Sequence, residues 1–396
     1  MLELALTGFL LLQTASGSPN VLPPTGSTGG ATGGTEEAQP TPPPTPTPRA
    51  TPRGRRGGSP TPTPQPTPTP TPRPSNDLLV VVNKSDNSIS VLDGSTGKLK
   101  WTAPVESGPH EAEVLSDGKT VAVSDYGRTG APGHMVSFIE LASGKVVGRV
   151  DLGAGARPHG LSALKDGRLL VTAEGKKELV VVDPKGAKVL SRLPTGHPLS
   201  HMVVASPDGK RAYVSSLKDG VVTVIDLPGG VVGDVPTGKG AEGIDVTPDG
   251  REVWVVNRET DTISVIDTKT LKVAATIKAG KFPIRVRITP DGKRALVAFT
   301  ESGDVGVYDV ATRAEIKRIP LGRDAVAASG ARVFQGKFGA SPAPVGIFIT
   351  PDGKRAFVSA THADVVVVLD LEGLRVVDGW AAGKEPDGLA GRFDKK

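Results

Sequence analysis

The chain has 396 residues and a formal charge of +5, with 50 glycines, 36 prolines and no cysteine. Missing thiols exclude disulfides, thiolate metal sites and cysteine nucleophiles, and say little about compartment. A charge this small and diffuse does not itself point to nucleic acid, and the length suits two or three domains or one long all-β repeat.

Leu4 to Leu12 (LALTGFLLL) is an apolar run of signal-peptide length, and Ala15-Ser16-Gly17 offers a small-residue cleavage site. The expectation for residues 1–17 is a signal peptide, and for the protein a secreted, periplasmic or cell-surface location. No Lys or Arg precedes the run and Glu3 carries the wrong charge. A misassigned start codon or a clipped membrane anchor are therefore the alternatives. The run is short for a membrane span.

Residues 18–76 change character. A Gly/Thr/Ser stretch (TGSTGGATGGT) gives way to PTPPPTPTPRATPRGRRGGSPTPTPQPTPTPTPRP. Proline at alternate positions removes backbone donors and fixes φ, so polyproline II or disorder is expected. This segment reads as a stalk extending about 3 Å per residue.

From Leu78 the sequence is periodic. PDGKRAYVSSLKDGVVTVIDLPGGVVGDVPTGKGAEGIDV recurs in altered form as PDGREVWVVNRETDTISVIDTKTLKVAATIKAGKFPIRVRI. The turn aspartates Asp117, Asp166, Asp208, Asp249, Asp291 and Asp352 are separated by 49, 42, 41, 42 and 61 residues, a period near 42 with two insertions. Each unit holds four short Val- and Ile-rich strands, here called A to D, which is the pattern of a β-propeller. Strand B begins seven times, near Leu78, Val121, Leu169, Ala212, Val253, Ala295 and Ala356. The periodic part starts on a B strand and ends on an A strand (EPDGLAGRF), so the last strand must complete the first blade. The expected fold over 77–393 is an all-β, seven-bladed propeller of four-stranded antiparallel blades, closed by its C-terminal strand.

The segment TPDGREVWVVNRETDTISVIDTKTLKVAATIKAG resembles the YVTN-type β-propeller repeat family, within its YncE-like group of exported proteins. The resemblance runs over essentially all of 77–393. It implies a propeller, often secreted or on the cell surface, and guides activity poorly because propellers host many functions. The repeats carry YVSS, WVVN and FVSA in place of YVTN itself.

Antiparallel strands sort the turns onto two faces. The A–B and C–D turns are near copies, and their basic rim (Lys119, Lys210, Arg211, Lys293, Arg294, Lys354, Arg355) follows the turn aspartates, so local charge largely cancels. The B–C loops and the D-to-A crossovers differ between repeats and take both insertions, 127–134 and 321–344. That variable face is the expected binding face.

Counting seven residues back from each turn aspartate gives one structural column: His110, His159, His201, Glu242, Ile284 and Val345, with Asp387 as the seventh by its Pro-x-Gly turn. The column lies where each crossover meets the innermost strand, beside the channel mouth. Neighbouring blades converge toward the axis, so these side chains can meet. His110, His159, His201 and Glu242 form an acceptable shell for Zn²⁺ or Cu²⁺. The same histidines also suit plain turn hydrogen bonds, and duplication alone repeats them. A second ring closes strand B: Asn83, Asp125, Glu174, Ser216, Asn257, Thr300 and Thr361. Most of these residues suit turn capping. Asp125, Tyr126, Glu174 and Arg285 join Asp387 and the column as ligand-binding candidates, while His134, His197 and His362 read as solvated loop residues.

The leading expectation is a monomeric, non-enzymatic binding module taking an unidentified small ligand, glycan or protein on the variable face. The alternative is a metal-assisted, lactonase-like hydrolase at the mouth, with His159 and Glu242 activating water. DNA binding through the basic rim is a weaker reading, and nucleic acid is not the expected partner. No Ser-His-Asp arrangement, phosphate loop or quinone-dehydrogenase repeat is present, and no cofactor beyond a divalent metal is implied.

Overall fold

The structure is a computed structural model that describes residues 76–322, 336 and 338–394. The signal-peptide and stalk readings lie outside these residues. No helix among the described residues is long and apolar enough to cross a membrane.

Seven four-stranded antiparallel sheets follow one another along the chain. The innermost strands are Pro109–Val114, Pro158–Ala163, Ser200–Ala205, Ala241–Val246, Pro283–Ile288, Pro344–Ile349 and Pro386–Arg392. The last of these pairs with Leu78–Asn83, in the register Leu78 to Arg392 and Val80 to Ala390. Blade 1 is thus built from both ends of the propeller, and the closed ring leaves no inner edge open.

The core lies between blades. Strands B and C read as near-continuous apolar runs because both faces are covered, as in LVVVD of 179–183 and VWVVN of 253–257. Strand D alternates exposed and half-buried residues at the periphery, as in Lys272–Lys278. Leu170 and Leu179 of blade 3 pack with Val203, Val214 and Ile225 of blade 4. Leu79, Val81 and Leu92 of blade 1 pack with Phe357, Val366 and Val368 of blade 7, which seals the circle.

The repeated Ser/Thr-Pro-Asp-Gly turns share one bonding pattern. In the fifth blade, the Thr247 hydroxyl donates to Asp249 at 2.6 Å and the Arg251 amide donates to the same carboxylate at 3.1 Å. The three arginines of the basic rim are engaged by their own scaffold. Arg211 pairs with Asp226 at 2.7 Å, Arg355 donates to the Gly94 carbonyl at 2.9 Å, and Arg294 donates to the Leu371 carbonyl.

The insertion at 127–134 is not a loop. It lengthens strands B and C of blade 2 into Thr120–Arg128 and Ala131–Glu140, a projecting hairpin. Within the second insertion, the described residues are 321–322, 336 and 338–344.

Candidate functional site

Each crossover reaches its innermost strand through one left-handed residue: Gly108, Arg157, Leu199, Gly240, Phe282, Ala343 and Glu385, with φ between 51° and 72°. Five of these carry a side chain, at a cost of roughly 1–2 kcal/mol each. Two residues later comes the column. His110, His159, His201, Glu242, Ile284, Val345 and Asp387, from seven different blades, line a single cavity of about 100 Å³.

The three imidazoles form a stack. Ring centroids lie 4.9 Å apart for His110 and His159 and 3.8 Å apart for His159 and His201. Tyr126 packs against His110 at 4.5 Å and stands edge-on to His159 at 5.3 Å.

Their protonation differs sharply. His201 hydrogen-bonds Glu174 through Nδ1, and its Nε2 lies 3.4 Å from Glu242. Burial alone would lower its pKa, but the two carboxylates outweigh burial and raise it to about 9, making this ring an imidazolium. His159 is the reverse: burial, with His201 and His110 beside it, holds its pKa well below the ordinary value. That ring is neutral, 4% exposed, and its Nδ1 has no hydrogen-bond partner. His110 lies 3.2 Å from Asp387, yet burial and the Lys84 charge keep its pKa lowered. Burial would raise Glu242, but Arg258, donating at 2.9 Å, and His201 bring it below the ordinary range.

Of the second ring, one residue enters this network. Glu174 accepts the Tyr126 hydroxyl at 2.7 Å as well as His201. Burial and the Glu174 charge push the Tyr126 phenol far up, so it stays a donor. Four others bond neighbouring strands: Asn83 donates to Ser88 and Ser90, Asn257 to Thr262 and Ser264, and Thr300 and Thr361, which also line the cavity, to the carbonyls of Pro344 and Pro386. Asp125 accepts from Ser137 and does not line the cavity.

One residue below the column, the channel is closed. Gly160, Gly243, Gly346 and Gly388 occupy four of the seven positions, and a Cβ on each would sit 2.2–2.7 Å from the neighbouring strand's backbone. The other three positions reach inward. Arg285 of blade 6 pairs with Glu111 of blade 2 at 2.5 Å, and its Nη1 lies 3.4 Å from the Met202 sulfur of blade 4. This pair floors the cavity.

Sequence reasoning missed Lys84, Glu111, Arg258, Phe282 and Phe338, all of which line the cavity. Lys84 and Arg258 sit one residue after the second ring, where Tyr126 also sits, and Glu111 shares the position of Arg285. Extending each column by one residue would have found them. His362, read as solvated, is 7% exposed and packs near Phe338. His134 is half-exposed beside Asp151, and His197 lies between Asp219 and Asp234.

Among the described residues, the donors within reach of a metal are His159, Glu174 and His201, whose ligand atoms lie within 4.8 Å of one another. Glu174 stands where the sequence suggested Glu242 or His110.

Comparison with known proteins adds three relatives and one family signature. The cytochrome D1 heme domain signature matches residues 168–283. The chain is 35% identical to the hydrazine synthase subunit beta of Kuenenia stuttgartiensis over 46% of its own length and 59% of that protein. It is 28% identical to YncE of Salmonella typhi over 45% of its length and 50% of that protein. The alignments therefore span about half the length of these curated relatives. Among solved structures, the dihydro-heme d1 dehydrogenase NirN superposes with a TM-score of 0.54 at 20% identity, covering 80% of this chain and 75% of NirN, a likeness of fold.

The mouth itself does not fit a tetrapyrrole. Its cavity of about 100 Å³ is well below the roughly 300 Å³ at which pockets for drug-sized ligands begin. The stacked imidazoles leave no planar slot between them, and Arg285 with Glu111 closes the space beneath. The repeat and the seven closed blades agree with the YncE relatives, and the chain is a seven-bladed β-propeller similar to YncE.

Proposed function

We propose that the protein is a binding module whose channel mouth captures a divalent transition-metal ion through His159, His201 and Glu174. One observation carries this reading. Three buried donors from two blades converge within 4.8 Å, and the central imidazole has an unpartnered Nδ1. Once the metal displaces the proton that His201 shares with Glu174, two imidazoles and a carboxylate are a borderline donor set, which suits Zn²⁺ or Cu²⁺ better than Mg²⁺ or Ca²⁺. Tyr126, bonded to Glu174, orients the carboxylate from behind, as second-layer partners do in metal sites. His110 stands within one ring's distance of His159 as a further donor.

The test is a calorimetric titration of the chelator-treated full chain with Zn²⁺ and Cu²⁺. The reading requires one equivalent bound, and a clear loss of affinity in Glu174→Gln. Absence of saturable binding of either ion would refute it. Three protein donors leave a coordination position open, the arrangement catalytic zinc sites use. The metal-loaded chain is therefore also assayed on esters and lactones, where turnover removed by chelator would convert the binder into a hydrolase.

A further inference from the structure

On the face of the A–B and C–D turns, the repeat breaks at the fourth blade. In five other blades the aspartate that closes strand C accepts an amide of its own C–D turn: Asp93 from Ser95, Asp183 from Lys185, Asp267 from Lys269, Asp309 from Thr312 and Asp370 from Glu372. The fourth blade reads Asp226-Leu227-Pro228-Gly229, and the position that donates in four of those turns is a proline, which has no N–H. Asp226 bonds elsewhere. Its Oδ1 takes the Nε–H of Arg211 at 2.7 Å, its Oδ2 has no partner among the described residues, and its side chain is 49% exposed.

Asp226 borders a groove of about 600 Å³ between the fourth and fifth blades. That volume lies within the range small-molecule sites occupy. The groove is separate from the mouth: Ser206, which lines it, stands five residues beyond His201 along an extended strand, roughly 17 Å away. Its wall mixes both signs of charge. Asp208, Asp226 and Asp249 face it together with Lys210 and Arg211. Three carboxylates against two cations disfavour a phosphate or a carboxylate, and Lys210 with Arg211 repels an ammonium. A neutral hydroxyl donates and accepts, so it satisfies both kinds of wall without adding charge. Pro207 and Leu227 supply small apolar surfaces for the C–H face of a ring.

We propose that this groove binds a neutral sugar of one or two rings, whose hydroxyls donate to Asp226 and accept from Lys210. Arg211 holds the Asp226 carboxylate in place. Tyr213 also lines the groove but is 2% exposed, so it offers no ring face for stacking, and a dissociation constant on the order of 1 mM is expected. The site does not depend on the metal reading, because no histidine lines it. Either can fail while the other stands.

The full chain is held in chelator and titrated with the methyl glycosides of glucose, galactose and N-acetylglucosamine and with maltose, and saturation-transfer NMR reads the bound fraction. Saturable binding of at least one sugar is expected, undisturbed by sodium phosphate or ethanolamine. Asp226→Ala and Lys210→Ala each remove one surface contact and should weaken binding at least about threefold with little change in melting temperature. Lys354→Ala, at the same turn position of the seventh blade, should leave binding as it is. No saturable transfer from any of the four sugars at concentrations on the order of 50 mM would overturn the proposal. Equal binding in all three variants would also overturn it, because the sugar would then sit outside the groove. Displacement of the sugar by phosphate or ethanolamine would do the same, since it assigns the groove to a charged ligand.

Discussion

Arg285 reaches across the propeller axis to Glu111, joining the sixth blade to the second over a separation of 174 residues. Both are buried and line the cavity, so the pair closes the channel beneath the histidines and also ties opposite blades together. Taking two charges out of water is costly, and their attraction repays it only while both are present. Glu111→Gln should therefore destabilise the protein by about 3–5 kcal/mol, because it leaves the Arg285 charge buried and unmatched. Glu111→Leu combined with Arg285→Met should lie within about 2 kcal/mol of the parent. Urea unfolding of the two variants measures the contrast, and equal losses would refute the pair's role as a compensated unit.

Asp125 predicts a pH signature away from the stacked histidines. Burial raises its pKa to about 7, outweighing the Ser137 hydroxyl bonded to it, and its Oδ1 has no partner. Between about pH 4 and 7 the folded protein holds a proton that the unfolded chain has released, so this group's contribution falls as pH rises and stays low above 7. Asp125→Asn should flatten that fall and be the more stable protein at pH 8, by on the order of 1–3 kcal/mol. Thermal unfolding from pH 4 to 8 reads it directly; a parallel pH dependence in both proteins would exclude this assignment.

The packing of innermost strands depends on Gly243. A Cβ there would lie 2.5 Å from the Ile284 carbonyl oxygen, a backbone atom of the next blade. Gly243→Ala should cost at least about 2 kcal/mol through the forced shift of two strands. Gly233, on an outer strand, has open space around its Cβ position and makes the matched control: Gly233→Ala should be neutral or slightly stabilising.

Ring closure is testable by truncation. Removing residues 386–396 takes away the strand paired with Leu78–Asn83 and Leu389 of the sealing cluster. It leaves an unpaired inner edge and an uncovered apolar face, and the product should lose cooperative unfolding and associate. A monomer that unfolds as sharply as the full chain would contradict closure by that strand.

Much of this was legible in the sequence because a repeat is a ruler. The turn aspartates fixed the blade count, and the odd B and A strands at the two ends fixed the closure. Counting back seven residues found six of the column residues that line the cavity, and the Pro-x-Gly turn found the seventh, Asp387. What the ruler missed lay off its marks. Glu111 and Arg258 stand one residue beyond the two columns, and they differ too much between repeats to be seen as positions. The insertion at 127–134 read as a loop from its glycines, yet Gly127, Gly130 and Gly133 fit the tight backbone of a lengthened hairpin. His362 looked solvated because nothing in the sequence brings Phe338 close to it.

The central claim is that His159, His201 and Glu174 form one metal site. X-ray absorption of the Cu²⁺-loaded full chain tests it most directly, with His159→Ala measured alongside. The account predicts one copper per chain with two imidazole nitrogens and a carboxylate oxygen around it, and one imidazole fewer in the variant. Copper bound equally well and with unchanged surroundings in His159→Ala, or not bound at all by the parent chain, would contradict it.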